Sequence, residues 1–447
     1  MKRKSSAGER QEERCRENMR ILIKNGYVID PVTGREGKFD VLTEDKKIVR
    51  VAEQIPESEA KADRVIDATG KHVLPGFIDL HVHYREPGLE YKETIATGSA
   101  AAAAGGYTTV CPMPNTKPVT DCAEVVQTVL AKAREAGKVR VLPVGAVTLG
   151  QSGSELSDIA AMAKAGAAAV SEDGKSVMNP VVYAEGMKRA KEAGLPVFAH
   201  CEEISLVRGG VMNAGAKAEE LGLPGITNAV EDIITMRDIL LAEETGAKLH
   251  LCHCSTKYSV DFVRFAKTKG IDVTAEVCPH HFAMCDEDIT ADLSMFKMNP
   301  PLRGKEDVKA LIAGLLDGTM EVISTDHAPH SAEEKSGSMI GSPFGIVGSE
   351  TAYALSNTVL VKEYGMSPMQ LAKCMSYHPA KVLGLDGEIG GVAEGYSADI
   401  AIVAPEEEYV INPEEFYSKG NNTPFGGKKV KGRVYMTICE GVITYER

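Results

Sequence analysis

The sequence lacks any run of about 18 apolar residues, the minimum for a membrane-spanning helix, so no membrane protein is expected. It also lacks positive charge: 50 Lys and Arg face 63 Asp and Glu, a formal net charge of −13. That field repels nucleic acid and anionic membranes, and an anionic substrate would need a locally basic pocket. The ten cysteines have no repeating spacing and no CxxC pair, which argues against a disulfide framework and against a thiolate metal knuckle. No apolar signal segment opens the chain, and with reduced thiols this points to the cytoplasm. What is present is an ordinary globular composition, 43% hydrophobic and 25% charged.

Residues 1–20 are mostly polar and read as an N-terminal extension. From Ile21 the text becomes short apolar segments punctuated by glycine, such as "ILIKNGYVIDPVTG" and "RVIDATGKHVLPG", which predict strands joined by tight turns. The other end, with "GYSADIAIVAPEEEYVI" and "KKVKGRVYMTICEGVITYER", reads alike. Residues 21–74 and 388–447 are therefore expected to build one small β-sandwich domain around a central insertion, residues 75–387.

In the insertion the pattern changes to apolar strand, turn and helix. Strand candidates are "GFIDLHVH", "YTTVCPMP", "RVLPVGAV", "AAAVSED", "PVFAHCE", "KLHLCHCS", "DVTAEVC" and "EVISTDHAP". Helical stretches rich in Ala, Lys and Glu separate most of them, and several close on Gly. Repeated β/α units predict an α/β fold, a TIM (β/α)8 barrel whose active site lies at the C-terminal ends of the strands. Polar residues collect at those ends. No histidine precedes His72 or follows His378, so the histidines follow the barrel rather than the composition.

His81 and His83 stand two apart on a strand and share a face. Alone, such a pair is as consistent with structural hydrogen bonding as with a metal. Asp173, His200, His253 and Asp326 at other strand ends add imidazoles and carboxylates suited to zinc. Six such groups can hold two ions about 3.5 to 4 Å apart, sharing a water whose pKa falls toward about 7. Asp173 is the candidate bridge, with Glu172 expected to face away and a carbamylated Lys175 as a distant alternative. Strand alternation should turn Cys201, Cys252 and Cys254 from the histidines' face. His250 is expected to point away from His253, and His280, His281 and His327 are expected to orient ligands without binding metal.

Taken in order, "DLHVHYREPG", "MPNT", "SEDG", "AHCE", "CHCS", "EVCPHH", "MNPPLR" and "STDHAPH" closely resemble the dihydroorotases of the amidohydrolase superfamily, the stand-alone bacterial type, from Ile21 to the C-terminus. The resemblance implies reversible closure of N-carbamoyl-L-aspartate to L-dihydroorotate in pyrimidine synthesis. It implies a barrel with a small β-sandwich and a zinc site built from His81, His83, Asp173, His200, His253 and Asp326. It makes Asp326 the catalytic acid/base. Arg85 and Asn115 would hold the substrate carboxylate, Asn299 and His330 would complete the pocket, and Phe344 and Gly345 of "PFGIVGSE" would offer backbone groups. A guanidinium suits that task because it grips a carboxylate with two parallel hydrogen bonds. Two positions depart from the family pattern: Glu172 where a second Asp is usual, and Cys278 where Thr is expected.

Two rival readings follow. Dihydropyrimidinases, hydantoinases and allantoinases share the HxH motif, but their neutral rings need no Arg85 and Asn115. A catalytically silent subunit serving a carbamoyltransferase would be expected to lose ligands, and here all six are filled. A small-molecule substrate is expected, with a homodimer as the assembly.

Overall fold

The computed structural model describes residues 19–447; the N-terminal extension up to residue 18 lies outside the described residues. The first strands are β1 (Arg20–Asp30), β2 (Arg35–Glu44), β3 (Lys47–Ala52), β4 (Arg64–Asp67) and β5 (His72–Pro75). β1 is antiparallel to β2 and parallel to β4 and β5. The dipeptide Asn25-Gly26 sits at an irregularity inside the continuous β1, where the register to β2 shifts. Asn25 takes φ +62° and its N–H donates to Asp40 Oδ1 at 3.0 Å, while a Cβ on Gly26 would stand 2.4 Å from Val73 Cγ2.

The next strands are β6 (Phe77–Val82), β7 (Tyr107–Pro112), β8 (Arg140–Val141), β9 (Val144–Ala146), β10 (Ala169–Ser171) and β11 (Val197–Ala199). A small pair follows, β12 (Met212–Asn213) and β13 (Gly225–Ile226), then β14 (Leu249–Leu251), β15 (Val273–Val277) and β16 (Val322–Ile323). β6, β7 and β8 pair in parallel, as do β9, β10, β11, β14, β15 and β16 in spatial order. β8 and β9 are two pieces of the single predicted strand "RVLPVGAV". The ring closes where Val82 bridges His327 and the His83 N–H donates to the His327 carbonyl at 2.8 Å.

Every residue of β6 and β7 is buried, as parallel strands covered on both faces require. Ile78, Leu80, Cys111, Val144, Ala169, Phe198 and Val322 pack together as the barrel's inner core. Outside, helix Lys257–Lys269 turns Val260, Val263 and Ala266 inward, an apolar stripe at helical spacing. Thr256 caps its start through the Ser259 N–H, and Gly270 ends it in the left-handed conformation.

The chain ends in β17 (Ile400–Val410), β18 (Lys429–Cys439) and β19 (Val442–Glu446). β17 lies antiparallel to β5, with Ile400 opposite Pro75, so strands from both ends of the chain form one eight-stranded sheet with its own apolar cluster. Arg140, at the start of β8, fastens barrel to sheet through Asp399 at 2.9 Å and Glu440 at 3.0 Å. Among the described residues no helix is long and apolar enough to cross a membrane.

Candidate metal centre and substrate pocket

Asp173, just beyond β10, is the hub of the polar strand ends. Its Oδ1 faces His81 Nε2 at 3.2 Å, His200 Nδ1 at 3.4 Å and His253 Nε2 at 3.6 Å, while Oδ2 faces His83 Nε2 at 3.4 Å. Asp326 Oδ1 lies 3.0 Å from His83 Nε2 and 3.5 Å from His81 Nε2. All six predicted ligands are thus brought together, and all are buried. His81 Nδ1 is 2.8 Å from Glu276 Oε1; donating there leaves a lone pair on Nε2, opposite the Asp173 oxygen. Among the described residues, none hydrogen-bonds the buried His81 Nε2 or Asp173 Oδ1, an arrangement of acceptors that suits a cation.

The electrostatics agree. Burial alone would raise the Asp173 pKa, but the His81, His200 and His253 side chains hold it well below the usual carboxylate range. Burial opposes protonation of His200 too, yet the neighbouring Asp173 and Glu202 carboxylates push that ring up to about 10. Positive charge between these groups, carried by protons or by a metal ion, is what the carboxylates demand.

Arg85, His253 and Asp326 have left-handed backbones, with φ of 60°, 33° and 49°. Non-glycine residues adopt this region at a cost of roughly 1–3 kcal/mol, which concentrates at functional sites. The turn at His253 explains one departure from strand alternation. Cys252 was expected to face away, but it lies within ligand distance of His81 and Glu276 in the interior. Burial pushes its thiol pKa up, so it remains a neutral packing group. Cys201 and Cys254 do turn outward, toward Asp238 and into the core between strands and helices.

Glu172 accepts from the Thr148 backbone N–H at 3.0 Å and from its hydroxyl, away from the histidines. Lys175 donates to the Gln151 carbonyl at 3.0 Å. Among the described residues, the side chains of His280, His281 and His327 make no hydrogen bond to the ligand histidines, although the His327 carbonyl accepts the His83 N–H. His281 Nε2 donates to the Pro300 carbonyl, the His327 ring contacts Glu93, and among the described residues no hydrogen-bond partner meets His280 Nε2. The orienting contacts come from Asn115, whose Oδ1 is 3.0 Å from His83 Nδ1, and from Glu276. Glu276 also contacts His250 Nε2 at 3.0 Å and accepts the His253 N–H at 3.0 Å. His250, not a ligand, thereby joins the ligand framework. Sequence reasoning missed Glu276, although an acidic residue in the apolar strand "DVTAEVC" was a usable signal.

Arg85 is buried; its Nε donates to the Pro329 carbonyl at 3.3 Å, and its Nη2 lies 3.3 Å from His330 Nε2. Asn299 donates to Glu202 at 2.8 Å, beside His200. The backbone groups of Phe344 and Gly345 are engaged within the protein. The Phe344 carbonyl lies 2.7 Å from His330 Nε2, the Gly345 N–H donates to the Lys297 carbonyl, and the Gly345 carbonyl accepts from Asn422. Two buried lysines, unanticipated from sequence, secure this loop. Lys297 Nζ donates to the Met339 and Ser342 carbonyls and Lys335 Nζ to those of Lys297 and Pro343.

A sequence model of the Dihydro-orotase-like family matches residues 70–259. The chain is 48% identical over 429 residues to the dihydroorotase of Ligilactobacillus salivarius (strain UCC118), covering 96% of this chain and 99% of that one. It is also 48% identical over 432 residues to the dihydroorotase of Bacillus cereus (strain AH820), with the same coverage. Among solved structures, the L-hydantoinase (dihydropyrimidinase) of Arthrobacter aurescens superposes with a TM-score of 0.84 at 24% identity, covering 95% of this chain and 96% of that one. The D-hydantoinase (dihydropyrimidinase) of a Thermus species gives 0.80 at 27% identity, covering 95% of both chains. The shared fold is that of the cyclic amidohydrolases, and on the evidence of its full-length relatives the chain belongs to the dihydroorotase family.

Proposed function

We propose that the chain closes N-carbamoyl-L-aspartate to L-dihydroorotate, and reopens it, with two zinc ions held by His81, His83, Asp173, His200, His253 and Asp326. The observation that carries this reading is a buried guanidinium, Arg85, beside a histidine-carboxylate cluster, its Nε donating to the Pro329 carbonyl and its Nη2 next to the His330 imidazole. A substrate carboxylate supplies the missing partner. The two oxygens of Asp173 between four imidazoles support a bridging role. Zinc, when bound, would supply Lewis acidity and a water acidified toward a pKa of about 7.

The protein's own groups perform the rest. Arg85 anchors the carboxylate, and Asn115, Asn299 and His330 line the pocket with Phe344 and Gly345. Asp326, held well below the usual carboxylate range against its burial by His83 and neighbouring rings, is an unprotonated acceptor at neutral pH. In ring opening Asp326 takes a proton from the attacking water and returns it to the departing ring nitrogen. In closure it takes the proton of the ureido nitrogen as that nitrogen attacks the side-chain carboxylate, and returns it to the departing oxygen, which leaves as hydroxide. Exposed Ile233, Leu240, Tyr258 and Phe265 on two neighbouring outer helices support a homodimer, and the composition supports a cytoplasmic enzyme.

The test is a comparison of substrates with the purified chain. Turnover of dihydroorotate, with little of dihydrouracil or allantoin, is expected. Preference for either neutral ring would overturn the assignment of Arg85.

A further inference from the structure

We infer that Lys92 is a positioning residue for carboxylate binding: it occupies the Nδ1 side of His330, keeps that ring in its Nε2–H tautomer, and so leaves Arg85 open to the substrate. The inference rests on the proposed reading of Arg85 as the carboxylate anchor.

His330 is buried, and both its nitrogens have defined neighbours. Nε2 lies 2.7 Å from the Phe344 carbonyl, which can only accept, so Nε2 carries the hydrogen. Nδ1 lies 3.3 Å from Lys92 Nζ, which as an ammonium can only donate, so Nδ1 is bare. One neutral tautomer satisfies both contacts. With Nε2 protonated, Arg85 Nη2 cannot donate to it, and their 3.3 Å approach is not a hydrogen bond. The guanidinium edge is thereby kept for a ligand.

Lys92 is itself held in place. Its Nζ pairs with Glu334 Oε1 at 2.8 Å, and Glu334 in turn accepts from the Tyr91 hydroxyl and the Ser331 N–H. Glu334 Oε2 also stands 3.6 Å from His330 Nδ1. Without Lys92, that carboxylate would favour a hydrogen on Nδ1. Nε2 would then become an acceptor for Arg85, or the ring would gain a full charge. The charged groups facing His330 are Arg85 and Lys92 from the segment after β6, and Glu334 and Lys335 from its own loop. Burial, with Arg85 and Lys92, lowers its pKa to about 3, consistent with a ring that stays neutral in the working range.

The experiment is nitrogen-15 NMR of histidine-labelled protein, run beside steady-state kinetics on dihydroorotate. In the parent protein His330 should remain the Nε2–H tautomer from about pH 6 to about pH 8. In Lys92→Met it should shift to Nδ1–H or titrate within that range. The KM should rise about tenfold or more while kcat changes less than about threefold. Lys92→Arg, which also only donates, should restore tautomer and KM. If Lys92→Met folds poorly, Lys92→Gln tests the same coupling, because loss of the charge alone should raise the His330 pKa. An unchanged His330 spectrum, or a KM unaltered in a variant whose spectrum has changed, would overturn the inference. An inactive parent protein would instead count against the proposed function, while the tautomer measurement would still read the Lys92–His330 contact.

Discussion

Replacing Glu276 separates the charge of this carboxylate from its hydrogen-bonding geometry. It serves three buried groups: His81 Nδ1 at 2.8 Å and the His253 N–H at 3.0 Å on Oε1, and His250 Nε2 at 3.0 Å on Oε2. In Glu276→Gln the remaining oxygen still accepts from His81 and His253. The new amide faces His250, which can respond by moving its proton to Nδ1, where Thr274 Oγ1 stands at 2.9 Å. Geometry survives and only charge is lost, so a cost of about 1–2 kcal/mol in stability is expected, with metal affinity down about 10- to 100-fold. Glu276→Ala leaves the buried His81 and His253 donors unpaired at about 1–3 kcal/mol each, roughly 2–6 kcal/mol against a total stability of about 5–15 kcal/mol. Calorimetric titration of zinc into the metal-free protein, with thermal unfolding of both variants, reads these two effects. Metal affinity within twofold of the parent in Glu276→Gln, or an unshifted Tm in Glu276→Ala, would refute the orienting role.

Asp326→Asn should lower kcat by about 100- to 10,000-fold while leaving substrate affinity nearly intact; near-normal turnover would remove Asp326 from proton transfer. Arg85→Met removes a bidentate charged grip of about 3 kcal/mol, so kcat/KM for dihydroorotate should fall about a hundredfold, mainly through KM. An unchanged KM would place the carboxylate elsewhere. Burial lowers the Lys335 pKa to about 7, so between that value and its ordinary one the unfolded chain binds more protons and the native state gains stability as pH rises. Lys335→Met lacks this gain. Its Tm relative to the parent should therefore fall between about pH 6.5 and about pH 9, and a pH-independent difference would contradict the shifted lysine.

The six ligand candidates were legible because a parallel barrel brings its strand ends together, and His81, Asp173, His200, His253 and Asp326 stand at five of them. The joining of the terminal strands was legible from two similar runs of glycine-punctuated segments, now seen as β5 against β17. Local backbone was not. Nothing in "ILIKNGYVID" distinguishes a tight turn from an irregular strand until Val73 packs against Gly26. Nothing in "CHCS" announces the left-handed His253 that lets Cys252 and His253 both reach the interior. The choice of orienting partners also escaped, because His280, His281 and His327 are chemically suited to the task. Only the fold brings Glu276 and Asn115 to the rear nitrogens of His81 and His83.

The most direct test of the central claim is titration of metal-free protein with zinc while dihydroorotate ring opening is followed by ultraviolet absorbance. Activity should rise with added metal and level off at two equivalents per chain. Full activity without metal, or metal-saturated protein that leaves dihydroorotate untouched, would contradict it.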